Sequence, residues 1–301
     1  MIARQEESRI ANTGAMRSGE IPGKGQIWLR LNQSLEGRHQ YLALGIYGKY
    51  DAAHGAYFEV PGFSLGDLSS GGGAKVSGKV TDADGLVDMP VPLGARTAKM
   101  SGGRVNFELS ASEPRADVMN MKLSDFRAMS RDIYGEQYDT LTKTVPVESM
   151  PPDVRALMES VEGMTVRDAM RTIQRFMVEN FEYREFDDVI EKPIHERITQ
   201  RAERGELSGP NEFLNFILQA RAGKCQEISE VTMALLRLAG IPAAKFNGYV
   251  ANGKEVDREA HAAALALMPA EGSGFHAEPV EGAWKYLSEA DAAEVGSASL
   301  P

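Results

Sequence analysis

The single cysteine of the chain, Cys225, lies where a nucleophile could be activated. Apolar residues recur after it at spacings of three or four, namely Ile228, Val231, Leu235 and Leu238. This stripe predicts a helix that begins at Cys225, and Gly240 and Pro242 predict its end. The thiolate is the nucleophilic form of cysteine, and the first turn of a helix favours it through unpaired N–H groups and the helix dipole. The alternative for a lone cysteine is a small buried apolar side chain.

The residues around Cys225 belong to a longer pattern: Gly-x-Cys-x-acid-x-small, then Leu-Leu-Arg, Gly-Ile-Pro and Gly-Tyr. The matching residues are Gly223, Cys225, Glu227, Ser229, Leu235, Leu236, Arg237, Gly240, Ile241, Pro242, Gly248 and Tyr249. This pattern resembles the core of the transglutaminase-like superfamily, which are papain-like thiol enzymes with a Cys–His–Asp triad. The resemblance implies an α+β fold in which the nucleophile helix packs on an antiparallel sheet. Ile228 stands where the family usually has an aromatic residue, and Ala244 where it usually has an arginine.

The resemblance places the second catalytic residue at His261. This histidine comes 36 residues after Cys225 and heads a predicted strand, and its following Ala262 matches the family's His-Ala-Trp, with Ala263 in place of the tryptophan. A neutral imidazole, with a pKa near 6.5, can take a thiol proton and later return it. Taken alone, His261 would be a half-buried strand histidine.

The third member of the implied triad has no direct match. The family usually shows Trp-x-x-x-Asp-Pro on the next strand, and after Trp284 the corresponding position is Ser288. Glu289 is the nearest carboxylate and is the predicted third residue, with Asp291 as a second choice. Because adjacent strand residues face opposite sides, Glu289 can reach His261 only if the strand has ended or bulged there. Ser288 could instead orient the imidazole as a neutral partner.

Composition excludes several classes of protein. The 301 residues carry a net charge of −10 and no basic run, which argues against nucleic acid as a partner. No run approaches the roughly 18 apolar residues of a membrane-spanning helix, and the first residues contain no signal region. A cytoplasmic location is the default expectation unless the sequence is a fragment. A single cysteine excludes an internal disulfide, and no motif indicates a metal or another cofactor.

The hydrophobic period changes from two to about 3.6 near Pro151, which predicts two domains. Residues 1–24 read as a flexible tail, 25–130 as a β-sandwich-like or small barrel domain, 131–150 as a linker, and 151–301 as the transglutaminase-like domain. The predicted strands of the first domain are Gln26–Asn32, His39–Tyr47, Ala56–Val60, Ala74–Thr81, Arg104–Ser110 and Val118–Leu123.

In the second domain, a capping box at Thr165 predicts a helix start. Strands are predicted at Ala243–Val250, His261–Met268 and Gly282–Leu287. Residues 269–280, which include His276, read as a loop between the last two of these strands.

Three functions are compatible with these patterns. The first is a thiol enzyme acting on amide bonds of protein or peptide substrates through a cysteine acyl-enzyme, and the family resemblance favours hydrolysis (protease or amidase) over cross-linking. The second is a catalytically degenerate transglutaminase-like domain used as a binding or scaffolding module. The third assigns the function to the β-rich half, as a carbohydrate- or protein-binding module with the second half as support.

Overall fold

A computed structural model describes most of the chain. The described residues are 27–35, 37–51, 56–59, 74–80, 90–109, 116–144, 150–183, 200, 204, 211–270 and 275–283. The predicted tail at 1–24 and the predicted catalytic Glu289, together with Ser288 and Asp291, lie outside these residues.

The described strands are β1 (Ile27–Leu31), β2 (Tyr41–Asp51), β3 (Ala56–Glu59), β4 (Lys75–Val80), β5 (Val91–Pro92), β6 (Ala95–Ser101), β7 (Arg104–Leu109), β8 (Glu182–Tyr183), β9 (Ala222–Gly223), β10 (Ala243–Asn252), β11 (Glu255–Pro269) and β12 (Phe275–Val280). The helices are α1 (Ala116–Met119), α2 (Leu123–Tyr134), α3 (Glu136–Thr142), α4 (Pro152–Val161), α5 (Val166–Asn180), α6 (Asn211–Ala220) and α7 (Cys225–Leu238). A short 3₁₀ helix (Gly37–Gln40) precedes β2.

Within the described ranges, ten strands form one sheet in the order β3-β2-β10-β11-β1-β4-β7-β6, with β12 on β11 and β5 on β2. Strands from both halves of the chain therefore share this sheet, and all of its pairings are antiparallel. The α+β class, with a mainly β first part and a nucleophile helix packed on an antiparallel sheet, is confirmed. The division into domains at 25–130 and 151–301 stays a prediction, and the sheet runs across that boundary.

Strand β11 organises the centre of the sheet. Strand β10 lies along one edge of β11, and two short strands share the other edge: β1 pairs with residues 255–257, and β12 with residues 264–269. Between these two neighbours, no described strand pairs with this edge of β11. His261 lies in that gap, so a residue that follows β12 can reach it from the side.

Helix α7 is buried between the sheet and other helices. It packs on β10 and β11, while α5 and α6 pack against it. Its apolar stripe enters the largest core cluster, where Val231 and Leu235 are almost fully buried. Each such side chain contributes about 1.5–3 kcal/mol by leaving water. The helix that carries Cys225 is thus held rigidly against the strand that carries His261.

One strand prediction in the first half is wrong: the predicted strand Val118–Leu123 gives way to α1 and the start of α2. Residues 131–142, which the domain prediction assigns to the linker, belong to α2 and α3. The reason is a helical stripe that extends further back than Pro151: Leu123, Phe126, Ser130 and Tyr134 are all buried on α2. Gly135, with φ at 55°, separates α2 from α3.

The prediction of a loop at residues 269–280 is also wrong. A strand lies at Phe275–Val280, and His276 is a buried strand residue rather than a loop residue. Of the predicted strand Gly282–Leu287, residues 284–287 lie outside the described residues. Pro279 obscured this strand, because proline is expected to interrupt a ladder. Strand β12 pairs only with β11 among the described strands, so its outer edge does not require the N–H that Pro279 lacks.

Candidate active site

Cys225 is the first residue of α7, and the turn before it is fixed by local contacts. The backbone N–H of Lys224 donates to Oε2 of Glu227 at 2.9 Å, which is one half of a capping box. A Cβ atom at Gly223 would lie 2.7 Å from the Cβ of Glu227, so glycine is required for this close approach. The parallel pairing of β9 with β8 ties the same turn to the end of α5. The cysteine is therefore presented at a helix N-terminus, as predicted.

His261 lies on β11 and is only 2% exposed. It pairs with Gly248 of β10. A Cβ atom at Gly248 would come within 1.9 Å of the carbonyl oxygen of Leu42 on β2, so the three strands can approach one another here only because residue 248 is glycine. The Gly-Tyr element of the sequence pattern therefore has a packing role beside the histidine.

Glu281 is the carboxylate that contacts His261. Its Oε1 lies 2.7 Å from Nε2 of the imidazole, and its side chain is 7% exposed. Glu281 directly follows β12, at the gap in the edge of β11. Sequence reasoning missed it because the last strand was placed beyond it. Had the strand been predicted at Phe275–Val280, Glu281, the first residue after it, would have been the candidate for the third catalytic residue.

The second neighbour of His261 is Cys225, whose side chain lies close enough to the imidazole to raise the pKa of His261. Nε2 of the imidazole contacts Glu281, and the other ring nitrogen, Nδ1, is buried. Cys225 itself is partly exposed. The site is thus a chain of three side chains, from a thiol that a reactant can reach to a buried carboxylate.

The electrostatics of this chain favour a charged imidazole. Burial by itself lowers the pKa of His261, but the negative charge of Glu281 and the hydrogen bonds to Cys225 and Glu281 outweigh it and raise the pKa to about 10. His261 is therefore an imidazolium at neutral pH, whereas the sequence suggested a neutral base. The difference comes from Glu281, which the sequence analysis had not paired with it.

Two aromatic rings enclose the imidazole. The ring of Phe246 lies 6.0 Å from it and the ring of Tyr41 lies 6.3 Å from it, between centroids, and the two rings meet edge to face. Phe246 is paired directly with Ala263, the residue that replaces the family's tryptophan. Because the side chain of Ala263 is small, the ring of Phe246 has room beside the histidine. An aromatic ring near His261 is therefore provided by β10 instead of by residue 263.

The predicted site residues have different outcomes. The structure brings Cys225 and His261 together. Glu289 lies outside the described residues, so its proposed role stays a prediction, and Glu281 already occupies the position beside Nε2. Among the described residues, no three His, Cys, Asp or Glu side chains cluster as ligands for a metal ion. None of the described helices is both long and apolar enough to cross a membrane.

Residues 155–278 match the family model of the Transglutaminase-like superfamily. This part of the chain is therefore a transglutaminase-like domain, and it contains both Cys225 and His261. No curated protein matches the chain.

Among solved structures, the chain is similar to the periplasmic domain of TgpA from Pseudomonas aeruginosa, with a TM-score of 0.51 and 15% identity over 90% of this chain and 91% of that chain. A second structure of that domain, bound to ethylmercury, has a TM-score of 0.43 and 16% identity over 97% of this chain and 95% of that chain. At these identities the first likeness is one of fold.

Proposed function

We propose that the chain is a thiol enzyme that acts on amide bonds of protein or peptide substrates through an acyl-enzyme on Cys225. The observation that carries this proposal is the contact chain Cys225–His261–Glu281, at a helix N-terminus in a transglutaminase-like domain. A buried imidazolium between a thiol and a carboxylate has little structural purpose, because apolar residues of similar volume would fill the same space at no charge-burial cost. In catalysis each of the three groups has a role.

In the first half-reaction the proton of the thiol resides on His261, and the sulfur of Cys225 attacks the carbonyl carbon of an amide. The N–H groups at the start of α7 have no acceptor within the helix and can donate to the developing oxyanion. The C–N bond breaks, the imidazolium gives its proton to the leaving ammonia or amine, and a thioester remains on the sulfur. Glu281 stabilises the positive charge of His261 until this proton is transferred.

In the second half-reaction neutral His261 takes a proton from water as the water oxygen attacks the thioester. The C–S bond breaks, a carboxylic acid leaves, and the proton on His261 restores the resting pair with the thiolate. We propose water as the acceptor because hydrolysis needs no binding site for a second substrate. An amine could enter by the same steps and would give a cross-link instead.

The competing function is a transglutaminase-like module without catalysis. The departures at Ala244 and Ala263 favour it, and the paired Cys225, His261 and Glu281 argue against it. The two functions differ in what the thiol does with an acyl donor, so they can be separated without knowledge of the natural substrate.

The test is acylation of Cys225 by p-nitrophenyl acetate. An enzyme should release a burst of about one p-nitrophenolate per chain, and the protein mass should increase by one acetyl group that water later removes. Cys225→Ala should give no burst, and His261→Gln/Glu281→Gln should give a slow one. Incubation with a glutamine-containing peptide, with and without an added amine, should then distinguish ammonia release alone from cross-linking. A wild-type rate equal to that of His261→Gln/Glu281→Gln would support the binding module.

A further inference from the structure

Strands β1, β4, β7 and β6 form the end of the sheet opposite β3. The surface of these four strands that faces away from the core is polar. The inward residues of these strands, such as Val76, Phe107 and Leu29, fill a buried core cluster. Because side chains alternate along a strand, the residues between them project away from that core. The outward positions are Arg30 on β1; Lys75, Ser77 and Lys79 on β4; Arg104, Asn106 and Glu108 on β7; and Lys99 and Ser101 on β6. We call this surface the basic face.

Three cations stand directly opposite one another on neighbouring strands of the basic face. Arg30 pairs with Lys79, and Lys79 pairs with Arg104. Like charges at directly opposed positions destabilise a sheet. This register therefore places three positive charges in a row, where a sequence selected for stability alone would alternate the signs.

The row has little internal compensation. Arg30 is 3.4 Å from Glu255, but both side chains are about half exposed, so this ion pair contributes little. Lys79 and Arg104 are exposed and have no acidic partner among the described residues. The whole chain has a net charge of −10, which makes a cluster of five cations on one face unexpected.

The neighbouring positions extend this pattern into a shallow cleft of about 430 Å³. The cleft is lined by Lys75, Lys99, Ser77 and Asn106, together with Val76, Phe107 and Glu108. Glu108, which pairs directly with Lys75, is the one acidic residue at the outward positions of these strands. The face thus offers cations and hydrogen-bonding groups close to one another.

We propose that the basic face binds an acidic, extended segment of a protein partner. Carboxylates complement the five cations, and the hydroxyl and amide groups of Ser77 and Asn106 can bond to the backbone of an extended peptide. The outward positions contain no aromatic residue on which bases could stack, which disfavours single-stranded nucleic acid. The surface is a cleft rather than a plane, and the outward positions of its strands are polar, which disfavours a lipid bilayer.

The experiment measures binding of a fluorescein-labelled oligoglutamate peptide to the full chain by anisotropy, at low and at physiological ionic strength. Affinity should fall as salt is added, because the charges are exposed. Lys79→Gln and Arg104→Gln should each weaken binding about twofold to fivefold, the range for one exposed ion pair. Lys79→Gln should also raise the unfolding midpoint or leave it unchanged, since it removes a like-charge contact. Opposite effects on binding and stability would distinguish a binding role from a structural one.

The matched control is Arg155→Gln, which removes one exposed positive charge from α4. It should bind the peptide as the wild type does, and so should Cys225→Ala, because this site does not depend on the catalytic proposal. Unchanged affinity in both Lys79→Gln and Arg104→Gln would overturn the inference, and so would an equal loss in Arg155→Gln. Tighter binding of anionic phosphatidylserine vesicles or of an oligonucleotide than of the peptide, weakened by the same two substitutions, would reject the acidic peptide as the partner.

Discussion

Two histidine–glutamate pairs lie on adjacent strands and have the same separation. His261 on β11 lies 2.7 Å from Glu281, and His276 on β12 lies 2.7 Å from Glu278. Both imidazoles are almost completely buried. The carboxylates differ: the Glu281 side chain is 7% exposed, whereas the Glu278 side chain is 40% exposed. The histidine of the first pair also lies beside the cysteine.

The difference in exposure decides what each pair can do. Water and ions screen the carboxylate of Glu278, and exposed pairs of this kind contribute about 0–1 kcal/mol. Glu281 is shielded from solvent, so its charge acts almost entirely on His261. Removing either member of such a buried pair leaves an uncompensated charge, which typically costs about 3–5 kcal/mol. A distance of 2.7 Å is therefore insufficient evidence for a functional pair.

The largest expected difference between the two pairs is in the pH dependence of stability. The pKa of His261 is about 10 in the folded chain and near 6.5 when unfolded, so the folded state binds the extra proton between these values. This contribution is fully present below pH 6.5 and is lost as pH rises towards 10. We expect the free energy of unfolding to fall by several kcal/mol at most over this window, since one pKa unit corresponds to about 1.4 kcal/mol.

Denaturant unfolding at intervals from pH 6 to pH 10 measures this slope. Glu281→Gln should flatten it, because the charge that raises the pKa of His261 is gone. Glu278→Gln should leave it unchanged. Equal slopes in the wild type and in Glu281→Gln would show that the buried pair does not hold the extra proton.

The two histidines should differ in their effect on the reactivity of Cys225. His261→Gln removes the imidazole that holds the thiol proton in the proposed mechanism, so the cysteine should become less reactive. Alkylation by iodoacetamide should then slow by roughly tenfold or more at pH 7. His276→Gln should change the rate less than about twofold, because its partner is screened by water. Intact mass spectrometry gives both rates without ambiguity, since the chain has one cysteine.

His261→Gln also leaves Glu281 buried without a counter-charge, which could unfold the chain. The double variant His261→Gln/Glu281→Gln removes both charges and serves as the folded control. It should alkylate as slowly as His261→Gln. Wild-type alkylation in the double variant would contradict the role of His261.

Substitution of the two carboxylates, Glu281 and Glu278, should change the rate of Cys225 alkylation by different but smaller factors. Glu281→Gln keeps a hydrogen-bonding group beside Nε2 but removes the negative charge, so the imidazolium becomes less favourable. We expect alkylation at pH 7 to slow, but by a smaller factor than in His261→Gln, because the imidazole itself is retained. Glu278→Gln should have no measurable effect. A slower Glu278→Gln, or an unaffected Glu281→Gln, would reverse the assignment of the two pairs.

The two site residues that could be predicted, Cys225 and His261, are marked by patterns of residues close to them in the sequence. Cys225 is marked by a helical stripe with a glycine and a proline at its end, and His261 by its place in the family pattern. Glu281 is defined by tertiary register, because it depends on where β12 ends and on the unpaired edge of β11. Pro279 concealed that strand, because proline is expected to interrupt a ladder.

The protonation of His261 was likewise not predictable, since it follows from a contact between residues 20 positions apart. The first-half strands at β1, β2, β3, β4 and β7 were predicted because their apolar residues alternate and turn residues bound them. The sharing of one sheet by both halves is a long-range property, and neither half carries a local signal for it.

The smallest expected effect concerns Phe246, one of the aromatic rings beside His261. Phe246 lies 6.0 Å from His261, near enough for its π-system to stabilise an imidazolium by about 0.5–1 kcal/mol. Phe246→Leu should therefore slow alkylation of Cys225 at pH 7 about twofold to fivefold and shift the rate profile towards higher pH. Phe107→Leu is the matched control, because Phe107 is equally buried but lies in the core beneath the basic face. It should lower stability by a similar amount and leave the alkylation profile unchanged. If both variants lose stability and neither shifts the profile, Phe246 acts only as a core residue, and Glu281 alone accounts for the charge on His261.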